Sequence, residues 1–417
     1  MSLSLTFIRQ NWDLFAKSMQ ARGYDEIDIN LIPSLDDERK SLIARTEALQ
    51  NKKNTLAKQI GTAKAKGEDC EALMSESNLV KQELAELEEA ANKKQEELDY
   101  ILVRLPNILL EDVPSGKDEN DNLELRKVGK VPQFNFAPKE HFEIGAKLES
   151  MDFESAANIS GSRFVFLYDK LAKLERALIN FALKELGLAG YMEVSPPLLV
   201  NEKAYFGTGQ LPKFEGDFFK TTDNRFLIST SEISLTNIVN DKIVPEHKLP
   251  LRYTAFTPCF RSEAGASGKD TRGMIRLHQF YKVEMVSITA PEHSMAEHER
   301  MLGITESLLQ RLELPYRVVK LCSGDIGTTA AKTYDIEVFM PGQGRYREVA
   351  SISNTLDYQA RRMMARVKRA ESKKNEYLHT LNGTAIACGR IICAILETYQ
   401  TEDGNFEVPK VLDLNGC

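Results

Sequence analysis

The chain has 417 residues, 42% hydrophobic and 28% charged, with a net charge of −7. That length allows two or three domains with a large core, and charge interrupts every apolar run too soon for a membrane span. The N-terminal MSLSLTFIRQNWDLF lacks the basic segment and apolar block of a secretory signal, and six cysteines, at 70, 259, 322, 388, 393 and 417, form no CxxC pair, so a cytosolic protein without a zinc site or disulfide framework is expected.

The clearest periodicity comes first in the chain. Leu35, Leu42, Leu49, Leu56 and Ala63 recur at heptad spacing, with Thr46, Lys53 and Ile60 between them. A return segment carries Leu73, Val80, Leu87 and Ile101 in one register and Leu84, Ala91, Leu98 and Leu105 in the other. Heptads specify a coiled coil, which predicts an antiparallel helical hairpin over 35–105. Gly61, Gly67 and a short charged stretch place its tip near Ala65–Asp69. Arms of roughly 30 residues would span about 45 Å. The first arm is basic, through Lys40, Arg45, Lys52, Lys53, Lys58, Lys64 and Lys66, and the second is acidic. A basic helix suits phosphate neutralisation; a spacer or dimerisation arm is the plain alternative.

Pro106, Pro114, Gly116, Gly129, Pro132 and Pro138 punctuate a polar stretch, so 106–140 is expected to be a linker between an N-terminal domain, 1–105, and a second domain, 141–417. Beyond it, strands and helices mix without βαβ alternation, which predicts an α+β fold around an antiparallel sheet. There is neither a P-loop nor a glycine-rich dinucleotide fingerprint. A bound nucleotide would have to be held by side chains on the sheet.

Four later segments concentrate the chemistry. Ile228-Ser229-Thr230-Ser231-Glu232 reads equally as a polar site and as a helix N-terminus. Thr254–Glu263 and Met274–Met285 read as antiparallel strands around a loop with Gly265, Gly268 and Gly273. Alternation puts Arg261 and Glu263 on one face of the first strand, and Arg276, Phe280 and Glu284 on one face of the second. Two guanidinium forks suit a polyphosphate and a phenyl plate suits a base; Glu263 suits an adenine amino group or an arginine. Arg347–Asn354 follows, and Asn382–Arg390 opens an apolar helix over Gly389–Tyr399.

Together, and in this order, these segments resemble the seryl-tRNA synthetase family of class II aminoacyl-tRNA synthetases, and with the N-terminal region the likeness extends over nearly the whole chain. The resemblance implies a class II antiparallel-sheet catalytic domain with a helical arm that grips the long variable arm of serine tRNA. Gly190–Pro197 resembles the motif at the family's dimer interface and implies a homodimer. Arg261 and Arg390 resemble the catalytic arginines on the α-phosphate and γ-phosphate. Ser262, Glu263, Arg276 and Phe280 would join them around ATP, as would Glu348, Val349, Ala350 and Ser351, and Glu348 and Ser351 would also hold Mg2+. Thr230, Ser231, Glu232, Arg261, Glu284 and Thr384 would bind serine. Where the family usually has a serine this chain has Ala350, so a modest effect on nucleotide handling is expected. The implied reaction is ATP-dependent formation of seryl-adenylate, then transfer of the seryl group to the 3′-terminal adenosine of serine tRNA, with selenocysteine tRNA a second candidate acceptor. A relative that loads a carrier protein would not need the heptad arm. A silent copy would be free to lose several of Arg261, Glu263, Arg276, Glu284, Glu348 and Arg390.

Overall fold

The computed structural model describes residues 3–213, 215–264, 270 and 272–414. It comprises two compact units, one built from Leu3–Gln20 and Tyr24–Leu105, the other from Ala21–Gly23 and Pro106 onward. Gly265 and Gly268 of the expected loop, and Cys417, lie outside the described residues. Among the described residues no helix is long and apolar enough to cross a membrane.

In the first unit, α1 (Leu5–Gln10) and α2 (Trp12–Ala21) precede a hairpin of two long helices, α3 (Leu31–Lys66) and α4 (Glu71–Leu102). The heptad positions are those withdrawn from solvent. Leu56 and Ala63 on α3 and Val80, Leu84, Leu87, Leu98 and Ile101 on α4 are buried, while Leu35, Leu42, Thr46, Leu49, Lys53 and Ile60 are half-buried. Each buried leucine contributes about 1.5–3 kcal/mol. The bridges Lys52–Glu76 at 2.8 Å and Lys94–Glu38 at 3.1 Å lie on the solvated flanks, where a pair is worth under about 1 kcal/mol. The apolar seam therefore dominates. Gly61 does not interrupt α3, which runs on to Gly67. There a left-handed residue (φ 74°) lets the amides of Gly67 and Glu68 cap the carbonyls of Lys64 and Ala63.

The second unit is organised by an eight-stranded sheet. Its strands are β1 (Leu123–Val128), β2 (Met192–Glu193), β3 (Leu251–Phe260), β4 (Gln279–Thr289), β5 (Tyr316–Lys320), β6 (Lys332–Met340), β7 (Arg345–Asn354) and β8 (His379–Ala387). They lie in the order β1-β5-β6-β7-β8-β4-β3-β2. Neighbours are antiparallel except for the parallel edge pair β2–β3. The helices used below are α5 (His141–Lys147), α6 (Asp169–Leu188), α7 (Glu232–Thr236), α8 (Ser294–Arg311) and α9 (Cys388–Thr398). Val283 and Met285 of β4 join Ile336 of β6, Ile352 of β7 and Ile386 of β8 in one core with Leu178 of α6, Leu309 of α8 and Ile392 of α9. Because strand side chains alternate, Phe280, Lys282 and Glu284 point to the other face of β4, away from this helical layer.

The stretch expected as a linker, 106–140, is instead part of the second unit. Asn107 donates to the carbonyls of Thr329 and Thr355 at 2.9 and 2.8 Å, and β1 pairs with β5 along the sheet edge. Proline and glycine mark its turns, but the amides of Asn107 and Leu110 donate to the distant carbonyls of Thr328 and Ala331 at 2.8 and 3.0 Å.

Candidate active site

The expected hairpin exists, with different limits. β3 stops at Phe260 and β4 begins at Gln279, so neither Arg261, Glu263 nor Arg276 lies on a strand. One further ladder bond, Arg261 N to His278 O at 2.9 Å, follows Phe260. The backbones then separate, because Ser262 N turns to Asp217 O at 3.1 Å and His278 N to Arg163 O at 3.0 Å. Glu263 is left-handed at φ 53°, a conformation that costs about 1 kcal/mol or more in an ordinary residue. Despite the lost alternation, Arg261, Glu263, Arg276, Phe280 and Glu284 all line one cleft of about 230 Å³.

Within that cleft Arg276 Nη1 donates to Glu263 Oε2 at 2.7 Å, so of Glu263's two expected roles the structure displays the arginine partner. The Arg261 guanidinium lies 5.1 Å from the Phe280 ring centroid and Nε donates to Ser229 O at 3.4 Å. Ser262 does not line the cleft. Its hydroxyl donates to Gly216 O at 3.0 Å, anchoring the loop.

On β7, Glu348 and Ser351 are three apart, a spacing that a regular strand would send to opposite faces. The ladder skips a residue here, with Glu348 opposite Glu337 and Ala350 opposite Ile336. The extra residue, Val349, forms a bulge, and Glu348, Val349 and Ser351 all reach the cleft lining. Ala350 does not line it; its methyl is buried in the main core. A methyl suits that position, so the expected penalty on nucleotide handling has no basis in the side-chain geometry. Arg390, in the first turn of α9, bonds the Glu348 carbonyl at 2.8 Å and its carboxylate at 3.1 Å. Arg390 first, then Arg261, holds the Glu348 carboxyl below its usual range.

The other half of the cleft is more enclosed. Thr230, Glu232, Glu284 and Thr384 line it and are each at most 8% exposed. Helix α7 does start at Glu232, as the capping reading anticipated, but the hydroxyl taking the Glu232 amide, at 3.2 Å, belongs to Thr230. Ser231 is fully buried outside the cleft lining. Thr384 Oγ donates to Glu284 Oε2 at 3.4 Å, across the β8–β4 register that places the two residues opposite each other.

Residues 3–109 match the family model of the seryl-tRNA synthetase N-terminal domain, and residues 214–399 that of the tRNA synthetase class II core domain (G, H, P, S and T). The serine--tRNA ligase of Brucella canis is 49% identical over 98% of this chain and 96% of its own. The chain belongs to the seryl-tRNA synthetase family. Two solved members are similar throughout. Seryl-tRNA synthetase from Pyrococcus horikoshii, complexed with ATP, superposes with a TM-score of 0.93 at 40% identity, covering 98% of this chain and 97% of that one. The cytoplasmic serine-tRNA ligase from Naegleria fowleri, in complex with AMP, gives 0.88 at 29% identity, covering 98% and 96%.

For this member of the seryl-tRNA synthetase family, the cleft also contains residues that the sequence reading missed. Lys282 is 5% exposed; its ammonium pairs with Glu284 and donates to Thr230 Oγ at 2.9 Å. Asn382 in the cleft lining and Gln359, fully buried outside that lining, both donate to Glu232 Oε1, at 3.0 and 2.7 Å. The alternation that selected Phe280 and Glu284 also selects Lys282, and Asn382 stands two residues before Thr384 on β8. Gln359 had no local signal.

Burial pushes the Glu232 carboxyl from 4.5 up to about 7, against the opposing hydrogen bond from Gln359. A raised carboxyl favours folding in its protonated form, so its contribution is fully present below about pH 4.5 and is lost as the pH rises through 7. The rise corresponds to roughly 3 kcal/mol. Urea unfolding of wild type and Glu232→Gln should therefore show the variant gaining about that much relative to wild type between pH 4.5 and 8. A pH-independent difference would contradict the assignment.

Proposed function

We propose that the protein is a serine--tRNA ligase: it activates L-serine with ATP and transfers the seryl group to the 3′-terminal adenosine of serine tRNA. Membership of the family along the whole chain supports the reading. The observation that carries it is the convergence of two arrays in one cleft, Arg261, Arg276, Phe280, Glu348 and Arg390 on one side and Thr230, Glu232, Glu284 and Thr384 on the other. The arginines are suited to phosphate oxygens and the Phe280 ring to the adenine. Glu284 and Thr384 are suited to the serine ammonium and hydroxyl. A serine carboxylate oxygen attacks the α-phosphorus and pyrophosphate leaves; a terminal ribose hydroxyl of the tRNA then attacks the seryl carbonyl and AMP leaves. No side chain is required as a nucleophile. Arg261 stabilises charge that spreads over the phosphoryl oxygens, and positioning supplies much of the remainder.

Glu348 and Ser351 fit a Mg2+ site. They present two hard oxygens on the same side of a bulged strand. That is the donor set of a magnesium ion that draws its remaining ligands from phosphates and water. When bound, the ion would neutralise phosphate charge; Glu348 and Ser351 would orient it.

The arm is assigned to tRNA: Arg45, Lys58 and Lys64 are exposed on α3, a surface suited to phosphate contacts. A homodimer accords with the apolar side chains left exposed around the segment resembling the dimer motif, Leu188 at 77% and Met192 at 64%. The proposed reaction belongs in the cytoplasm.

Amino-acid-dependent ATP–pyrophosphate exchange tests the activation step. Serine should support exchange, and alanine should fall short by about 10⁴-fold, because the polar groups that meet the hydroxyl would be left unpaired. Exchange with threonine or glycine in preference to serine would overturn the assignment.

A further inference from the structure

The stretch from Met274 to His278 carries Arg276 into the cleft, yet it is not part of the sheet. Two side chains hold its backbone. Arg390 Nε donates to Ile275 O at 3.2 Å, and the Met274 amide donates to His141 Nε2 at 3.1 Å. His141, the first residue of α5, is 1% exposed. Its Nδ1 lies 2.8 Å from Glu397 Oε1, and Glu397, in the last turn of α9, is fully buried. The same carboxylate accepts from the amides of His141 and Gly342 at 3.2 and 3.0 Å and from Gln343 Nε2 at 3.1 Å. The chain touches the imidazole closely: Gly273 has φ +74°, and a Cβ there would fall 2.0 Å from His141 Nε2.

Burial disfavours a charged His141 ring, whereas the neighbouring Cys393 and Glu397 favour one. The Met274 amide nevertheless needs a lone pair on Nε2, since two N–H groups facing each other at 3.1 Å would repel. The hydrogen-bond pattern therefore requires the neutral ring with its proton on Nδ1, donated to Glu397.

We propose that His141 is a positioning residue for the nucleotide half of the cleft: oriented by Glu397, it fixes the Met274 amide and with it the backbone that presents the Ile275 carbonyl to Arg390 and Arg276 to the cleft. The proposal rests on the nucleotide reading above. It gives the helix bearing Arg390 a second task, since the far end of α9 sets, through His141, the stretch of backbone that its near end grips through Ile275. Such partner-of-a-partner contacts fix the geometry on which positioning catalysis depends.

The test is steady-state exchange kinetics of His141→Phe, which keeps a ring but removes the acceptor, with 15N spectra of histidine-labelled wild type and Glu397→Gln alongside. His141→Phe should raise KM for ATP about tenfold, the size expected of one lost hydrogen bond, and leave KM for serine within about twofold. The wild-type spectrum at neutral pH should show His141 with one bare and one protonated nitrogen, and Glu397→Gln should weaken that distinction. An unchanged KM for ATP, or equal rises in both KM values, would overturn the proposal in a folded variant. If His141→Phe does not fold, the spectrum decides: a doubly protonated His141 leaves the Met274 amide without an acceptor and overturns it equally. Wild type without serine-dependent exchange would instead count against the function itself, and the spectrum would be unaffected.

Discussion

Arg261→Ala is expected to lower serine-dependent ATP–pyrophosphate exchange by about 10³-fold or more, the range seen when a fixed cation on a transferring phosphoryl group is removed. The loss should appear in kcat and in kcat/KM together, since the interaction strengthens as charge develops on the phosphoryl oxygens. The fold should survive. Among the described residues the Arg261 side chain makes one long hydrogen bond, to Ser229 O at 3.4 Å, and a ring contact with Phe280 at 5.1 Å, which together are worth about 1–2 kcal/mol. Cooperative unfolding near the wild-type temperature with exchange lost is the expected pair of results. Exchange near the wild-type rate would remove Arg261 from the role assigned to it.

Replacing Asp37–Leu102 with a short glycine–serine bridge is expected to give the opposite division: exchange retained, efficient charging of tRNA abolished. Every cleft-lining residue belongs to the second unit, whose core does not draw on the hairpin seam. The deletion removes the exposed cations of α3 and with them the salt-dependent attraction to phosphate. At Asp36, buried at 1% and paired with Arg9, Arg39 and Lys40, the Arg9 bridge would remain. Wild-type charging by the shortened chain would reduce the arm to a spacer.

The hairpin was legible because its signal is local: a heptad pattern selects the same residues whatever surrounds them, and Leu56, Val80, Leu84 and Leu87 are buried accordingly. The limits of β3 and β4 were not legible, because the backbone leaves the ladder for partners far away in sequence, Asp217, Arg163, His141 and Arg390. Alternation gave the correct face for Phe280 and Glu284; applied once more it gives Lys282, whose positive charge reads as a surface residue until Thr230 and Glu284 are seen around it. The Val349 bulge has no mark in the sequence, and without it Glu348 and Ser351 would not share a side. Ala350 looked like a defect in a ligand set and is a core residue. Segment 106–140 looked like a connector because prolines and glycines report turns, whereas β1 is recognisable only beside β5.

The most direct measurement is the formation of acid-stable seryl-tRNA by the intact protein, with labelled serine, ATP, Mg2+ and serine tRNA, against a tRNA with a short variable arm as control. Label is expected on serine tRNA alone, dependent on ATP and lost in Arg261→Ala. A protein that supports serine-dependent exchange but leaves serine tRNA unlabelled would contradict the proposed function.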